Sequence, residues 1–354
     1  MVLTAPTALW VVPVSNLAGV ARHVLDVAGA GIPGWQLVFL TPPGDLPQAL
    51  RERGAAVVEE PFGPDHGTRA SVASLRHAVR TLRPAVVHSH LSHADVVAAL
   101  AVGPRGPRLV TTEHGIARDD LVYHRSAAKA RAMAAVHAAR LRRFDAVIAV
   151  SRATAAAMHD KWHPRTPVTV IPNGVDPVEV ATPPRDGLRI LSLARLAPEK
   201  RLPALVDGFA VLHERHPEAR LTLAGTGEEE RALRAHVTSR GLDDVVTLPG
   251  FADPGAAMAE HDVVAMLSVW ENCSYALLDA AARGLGVVAS DVGGNPELLP
   301  SRCLVDPGDA GAVATALEQQ GLARATRPGL VGWPTVADMC ERIADVYAPF
   351  EARR

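Results

Sequence analysis

The sequence predicts two doubly wound α/β domains in tandem, and three observations carry that prediction. The chain has 354 residues, too many for one ordinary core and suited to two domains of similar size. Short runs rich in Val, Leu and Ile alternate with amphipathic stretches, as parallel strands do when helices cover both faces of a sheet. Near the middle, Pro172–Asp186 breaks the alternation with four prolines and a glycine and reads as a linker.

Taken in order, strands are predicted at Leu9–Val14, Leu37–Leu40, Ala55–Val58, Ala85–His88, Leu109–Thr112, Ala146–Val150 and Val168–Ile171. Helices are predicted between them, among them Ala18–Ala28 and Ser71–Leu82. Past the linker, strands follow at Leu188–Leu193, Leu221–Ala224, Val245–Leu248, Val263–Leu267 and Val287–Ser290. The tail Thr335–Val346 has a helical pattern and can pack back across the linker. The predicted domains are residues 1–174, rejoined by a helix at about 335–354, and residues 175–334. Ligands of such sheets sit at the carboxyl ends of the strands, so a cleft between facing domains is the predicted site.

Apolar residues make up 48% of the chain and charged residues 21%, the profile of a globular protein. The apolar stretch Met1–Val14 has no basic region before it and no clear small-residue cleavage site after it, so no secretory leader is predicted. No apolar run reaches the length that spans a bilayer. Cys273, Cys303 and Cys340 are widely spaced without zinc-type pairing, which suits a reducing cytoplasm. The net charge of −2 conceals an asymmetry: 19 basic and 12 acidic residues up to Gly174, against 17 and 26 after it. A basic first half suits an anionic partner or surface, or simply uneven solvation of two domains. Nothing in the sequence points to nucleic acid.

The chemistry concentrates between Ile190 and Glu297. A strand runs into Arg195, and Pro198 suits a helix start that would put Lys200 in the first turn, against the positive end of the macrodipole. A lysine placed there makes sense if cation and helix terminus share a bound anion such as a diphosphate. Gly225-Thr226-Gly227 follows the next strand and reads either as close backbone approach to a ligand or as an ordinary turn. Glu271 precedes a helix beginning near Ser274, whose first amides can bind phosphate. Asp279, one to two turns into that helix, sits where a carboxylate can grip a ribose diol.

Two further features invite function. His88, His90 and His93 form an H-x-H-x-x-H cluster with zinc-like spacing, although no convergent carboxylate accompanies it. His124–Arg143 carries six Lys or Arg and no acid, as a membrane-surface helix or a plain solvated face would.

The ordered series Arg195 and Lys200, Gly225-Thr226-Gly227, Glu271 with an acid at Asp279, and Gly293-Gly294-Asn295-Pro296-Glu297 resembles the C-terminal half of family 4 retaining glycosyltransferases. Upstream, Asn16–Arg22, His88-Ser89-His90, Thr112-Glu113-His114-Gly115, Val150-Ser151 and Ile171–Asp176 are similar to family segments in the same order. The resemblance covers almost the whole chain. It implies the GT-B fold, two Rossmann-like domains facing a central cleft, and transfer of a hexosyl-type sugar from a nucleotide diphosphate sugar. UDP is the favoured nucleotide and GDP the second; the acceptor is a glycan, a lipid-linked sugar or a small molecule. Catalytic residues are implied at His114, Arg195, Lys200 and Glu271. Donor contacts are implied at Gly19, Gly225, Gly227, Asn272, Cys273, Ser274 and Asp279.

The family retains anomeric configuration, and no Asp-X-Asp metal motif occurs here, so metal-independent transfer without a cofactor is expected. A cytoplasmic bacterial enzyme of polysaccharide biosynthesis follows, with peripheral contact to an anionic plasma membrane through His124–Arg143 as an added expectation. The chain departs from the family at Asp279, where Glu is usual, at Ala18-Gly19, and at Asn272-Cys273-Ser274, where Gly-Phe-Gly is common. The rival readings are a GT-B nucleotide-sugar 2-epimerase and a non-catalytic nucleotide-sugar-binding protein. A dehydrogenase is disfavoured because no G-x-G-x-x-G follows the first strand.

Overall fold

The computed structural model describes residues 5–116, 127–178 and 185–350. It forms two compact units: Val175–Trp333, and Met1–Gly174 together with Pro334–Arg354.

The first unit is built on a parallel sheet of seven strands: β1 (Thr7–Val11), β2 (Gln36–Thr41), β3 (Ala56–Glu59), β4 (Val86–His90), β5 (Arg108–Glu113), β6 (Ala146–Ala149) and β7 (Val168–Val170). Their order is β3-β2-β1-β4-β5-β6-β7. The connecting helices are α1 (Gly19–Ala30), α2 (Asp45–Glu52), α3 (Gly67–Leu82), α4 (Leu91–Ala101), α5 (Ala127–Leu141) and α6 (Arg152–Trp162). The central strands are buried on both faces, which is why they read as unbroken apolar runs. β4 runs two residues past its predicted end, because Ser89 and His90 are buried despite their polarity.

The second unit repeats the winding with β8 (Arg189–Leu193), β9 (Arg220–Ala224), β10 (Val246–Gly250), β11 (Val263–Met266), β12 (Gly286–Ser290) and β13 (Leu304–Val305), ordered β10-β9-β8-β11-β12-β13. Its helices are α7 (Leu202–Arg215), α8 (Glu230–Ser239), α9 (Pro254–Glu260), α10 (Tyr275–Ala282), α11 (Asn295–Leu298) and α12 (Ala310–Leu322). Strand order reverses between β1 and β4 in the first unit and between β8 and β11 in the second. A parallel sheet opens a crevice at such a switch point, beyond the carboxyl ends of the strands.

The last helix, α13 (Val336–Tyr347), belongs with the first unit. A capping box starts it: Asp338 N–H donates to Thr335 Oγ1 at 3.1 Å, and Thr335 N–H donates to the Asp338 carboxylate at 2.8 Å. Val336, Met339, Cys340, Ile343 and Tyr347 form an apolar stripe that joins the core around Trp10 and Phe39. No helix among the described residues is long and apolar enough to cross a membrane.

Candidate active site

In the second unit the loops after β8, β9 and β11 lock together at the switch point. Leu196 N–H donates to the Thr226 carbonyl at 3.0 Å, Glu229 N–H returns to the Leu196 carbonyl at 3.0 Å, and Val269 N–H donates to the Glu199 carbonyl at 2.7 Å. Gly225, at φ +149°, lies so close to the Ala194 carbonyl that a β-carbon would collide with it. The glycine turn therefore shapes the loop that carries Arg195, and a side chain there would push that loop away. Gly227 presses on the Leu196 carbonyl in the same way.

These locks bring Lys200 Nζ to 2.5 Å from Glu271 Oε1, in a pair 20% and 13% exposed. Arg195 is 64% exposed and pairs with Glu199. Gly293, at φ +55°, abuts the Glu271 carbonyl, which accepts the Gly294 N–H at 2.9 Å. The Gly293-Gly294 step thus holds the backbone of Glu271. Ser274 is the N-cap of α10 but gives it no side-chain cap bond, so the first-turn amides are not capped from within that residue. Ahead of it, the Trp270 indole N–H donates to Asn272 Oδ1 at 3.2 Å, and Cys273 is half-buried. Asp279 is buried on α10, with Arg283 Nη1 at 3.9 Å from its Oδ1.

Lys200 departs from its predicted setting. Pro198 does open a helical turn, but it is a three-residue 3₁₀ turn, Pro198–Lys200, followed by Arg201 in the left-handed region at φ +46°. α7 starts only at Leu202. Lys200 is aimed by this tight turn and held by the Glu271 carboxylate, so it does not oppose the dipole of α7 from within its first turn.

The switch point of the first unit is chemically different. His23 on α1 and His88 and His90 on β4 pack around Trp10, and His114 just past β5 adds its ring to theirs. The His88 and His90 rings stack at 4.6 Å, His90 and His114 at 5.2 Å, and His23 meets His114 edge-on at 4.8 Å. His88 is tied at both nitrogens, with Nδ1 at 2.5 Å from Tyr347 Oη and Nε2 at 2.8 Å from Thr112 Oγ1. His90 Nδ1 lies 2.9 Å from His114 Nε2. Burial pushes His23 down to about 4 and drives His88, His90 and His114 well below the usual imidazole value. Gly19 is the first residue of α1, with open space where a β-carbon would stand.

The predicted H-x-H-x-x-H grouping is not what forms. His93 sits on α4, one turn beyond the strand end, and turns to Ser71 Oγ at 3.3 Å and the Phe62 ring. His23 takes its place beside His90. A lone histidine in an apolar helix carries no sequence signal for this. Leu91, which follows His90, has φ +68°, a strained value for a bulky side chain and one that ends the strand abruptly at His90.

Beneath His114, Arg140 of α5 pairs with Asp95 of α4 and, at 3.0 Å, with Glu113 of β5, all three buried. Asp95 also accepts from Ser89 Oγ at 2.5 Å and Thr111 Oγ1 at 2.9 Å. Burial pushes Glu113 up to about 7, partly offset by the Gly115 N–H, and pulls Arg140 down to about 9. One cation serves two buried carboxylates, which favours keeping a proton on the pair. This corrects the reading of His124–Arg143 as one basic face: Arg140 points into the core and stacks on Trp162. Residues 124–126 of that stretch lie outside the described residues.

Comparison with known proteins agrees along both halves. A family profile described as Glycosyltransferase Family 4 matches residues 17–179, and one described as Glycosyl transferases group 1 matches residues 187–320. WcaL of Escherichia coli K12, described as a colanic acid biosynthesis glycosyltransferase, is 32% identical over 195 residues, covering 50% of this chain and 47% of that protein. The phosphatidyl-myo-inositol mannosyltransferase of Mycobacterium tuberculosis H37Rv is 28% identical over 330 residues, 84% of this chain and 82% of its own. The chain spans about half or less of the length of the first curated relatives it matches. Among solved structures, Anabaena HepE in complex with UDP and glucose has a TM-score of 0.81 at 22% identity, covering 97% of this chain and 100% of its own. The sucrose-phosphate synthase of Thermosynechococcus elongatus follows the fold at TM-score 0.73 and 19% identity, over 98% and 96% of the two chains. The two Rossmann-like units are those of the GT-B fold.

Proposed function

The chain belongs to the group 1 glycosyltransferases, and from that premise we propose that it transfers a hexosyl-type sugar from a nucleotide diphosphate sugar, with retention and without a divalent metal. The observation that carries the proposal is the Lys200–Glu271 pair at the switch point of the second unit. In transfer, the bond from the anomeric carbon to the diphosphate oxygen breaks and a bond to an acceptor hydroxyl forms. The acceptor's proton passes to the departing diphosphate, on the face the sugar already occupied.

Negative charge grows on the leaving oxygen, and Lys200, Arg195 and the first amides of α10 supply the positive field it needs. Diphosphate binding draws Lys200 from Glu271 and frees that carboxylate for the sugar hydroxyls. Asn272, Cys273 and Ser274 line the sugar side, Asp279 holds the ribose, and Gly225 and Gly227 keep the Arg195 loop in place. In the first unit, Gly19 and His114 are the residues that meet the substrates. UDP is the proposed nucleotide, in keeping with the UDP of the HepE structure; the acceptor is a glycan or a lipid-linked sugar. A reducing compartment such as the cytoplasm suits the three widely spaced cysteines.

The test is to incubate the protein with a panel of UDP-, GDP- and ADP-sugars in the presence of EDTA and measure free nucleoside diphosphate. Release from one donor, raised by a glycan acceptor, supports the reading. Release from none, or only after magnesium is added, overturns it. A 2-epimerase would convert the donor's sugar with no second substrate.

A further inference from the structure

The loop after β8 carries two cations, and each is met by an acid. Lys200 pairs with Glu271 and Arg195 with Glu199, so the charges of these two pairs sum to zero. A diphosphate would be held more tightly by the cations alone. Glu271 has a second task at the sugar hydroxyls, whereas Glu199 has none. On the reading that Arg195 meets the donor diphosphate, we propose that Glu199 is a resident counter-ion that competes with every diphosphate for Arg195 and so speeds the departure of the nucleoside diphosphate product.

The backbone fixes Glu199 where it must compete. Ala197 N–H donates to the Arg195 carbonyl at 2.9 Å, Lys200 N–H to the Ala197 carbonyl at 2.9 Å, and Arg201 N–H to the Pro198 carbonyl at 3.2 Å. From the loop after β11, Val269 N–H donates to the Glu199 carbonyl at 2.7 Å. Residues 195–201 therefore form a tight knot with Arg195 and Glu199 four positions apart in it. Their side chains differ in freedom: that of Arg195 is 64% exposed and that of Glu199 20%. The long arginine can turn to an incoming anion, while the shorter, mostly buried carboxylate stays beside the place it left.

Among the described residues, Arg195 is the one ion-pair partner of Glu199. When Arg195 turns away, the carboxylate loses its counter-ion and faces the anion at close range. The two acids then act differently on donor and product. On leaving Lys200, Glu271 gains hydroxyls from the donor's sugar but nothing from the sugar-free product. Glu199 gains from neither, so its opposition is uniform. It weakens donor and product alike and leaves the barrier of the chemical step unchanged. A site of two cations and helix-end amides would otherwise hold its product, and product release sets the turnover of many transferring enzymes.

The experiment measures binding to the full chain by calorimetric titration, with inorganic pyrophosphate and UDP as the probes and no transfer required. Glu199→Gln removes the charge and keeps the size. It should bind both probes roughly three- to tenfold more tightly than wild type does, and the gain should shrink at high salt. With the donor found in the nucleotide-sugar panel, KM and the product inhibition constant should fall by the same factor, with kcat no higher. A residue that merely shapes the loop would weaken binding or leave it alone. Unchanged or weaker binding of the probes that wild type binds overturns the proposal and leaves the transfer reading standing. A fall in KM without a fall in the product inhibition constant overturns it too, since Glu199 would then act on the sugar. Should Glu199→Gln fail to fold, Glu199→Ala decides by the same signs. Failure of wild type to bind either probe overturns both the proposal and the reading beneath it.

Discussion

Both sheets of this chain wind the same way and both end in a switch-point crevice, yet they fill it with opposite chemistry. The second unit presents ion pairs that are partly open to water, Lys200 with Glu271 and Arg195 with Glu199. The first presents a stack of imidazoles, buried at His23, His88 and His90 and half-buried at His114, above a buried ion triad. An open ion pair exchanges its partner for an incoming anion at little cost, because water and ligand compete on similar terms. Buried rings and buried ions cannot, since breaking their contacts strands polar atoms in a low dielectric. The same topology thus supports a site that responds to charge and a site that holds its shape.

The sharpest way to break this comparison is Lys200→Ala. If the second unit works through charge, turnover should fall by roughly 10²–10³, the cost of losing one donor to a developing anion. The fold should survive, at a cost of roughly 1–3 kcal/mol, because the mostly buried Glu271 carboxylate is left without its cation. Initial rates with the donor found in the panel, set beside thermal unfolding, would show both. A variant that turns over like wild type would remove the proposed role.

Acid should separate the units next. His23 titrates near 6.5 when unfolded and near 4 when folded, so below pH 6.5 the unfolded state binds the additional proton. Stability contributed at neutral pH is therefore lost as pH falls from 6.5 towards 4, by about 3 kcal/mol for His23. His88, His90 and His114 shift in the same direction. Hydrogen exchange at pH 7 and 4.5, corrected for intrinsic rates, should show β4 and β5 losing more protection than β8 and β11. Equal losses in both sheets would contradict the contrast.

Glu113 works with the opposite sign and more weakly. Its folded value, about 7, lies above the ordinary carboxyl value of 4.5, so the folded state holds its proton longer and stability falls as pH rises from 4.5 to 7. Glu113→Gln removes that dependence. Between those two pH values, the stability of the variant relative to wild type should improve by roughly 2 kcal/mol, the shift being shared with Arg140. Urea unfolding at both ends of the range measures it; a constant difference would mean that Glu113 stays ionised in its pair.

How much of this was legible depended on whether chemistry or packing wrote the signal. The strands were readable because a parallel sheet buried on both faces must be apolar throughout; β13, two residues long, is too short to leave a pattern. Lys200 and Glu271 were found through their order along the chain, but their direct pairing across 71 residues is a property of the interlocked loops. His23 was passed over and Arg140 misjudged for the same reason in reverse. One looks like a stray polar residue on an apolar helix, the other like one more cation in a basic run. Only the fold shows that each meets a partner from a distant strand.

The smallest effect tests the finest reading, that of Asp279. Its carboxylate is buried on α10 near Arg283, and the family usually has a glutamate there. A hydrogen bond from a diol to a charged acceptor is worth about 1.5–3 kcal/mol, so Asp279→Ala should weaken donor binding roughly 10- to 100-fold. Asp279→Glu keeps the charge and adds one methylene. In a packed site the added group costs something, while the longer reach restores the family's usual contact; the two oppose each other, and the net change in donor KM should stay within about tenfold, with kcat preserved. A large fall in kcat for the glutamate variant would place residue 279 nearer the reacting bond than the ribose. No change for the alanine variant would remove it from the donor site, and would leave the second unit's charge concentrated on Lys200, Arg195 and Glu271.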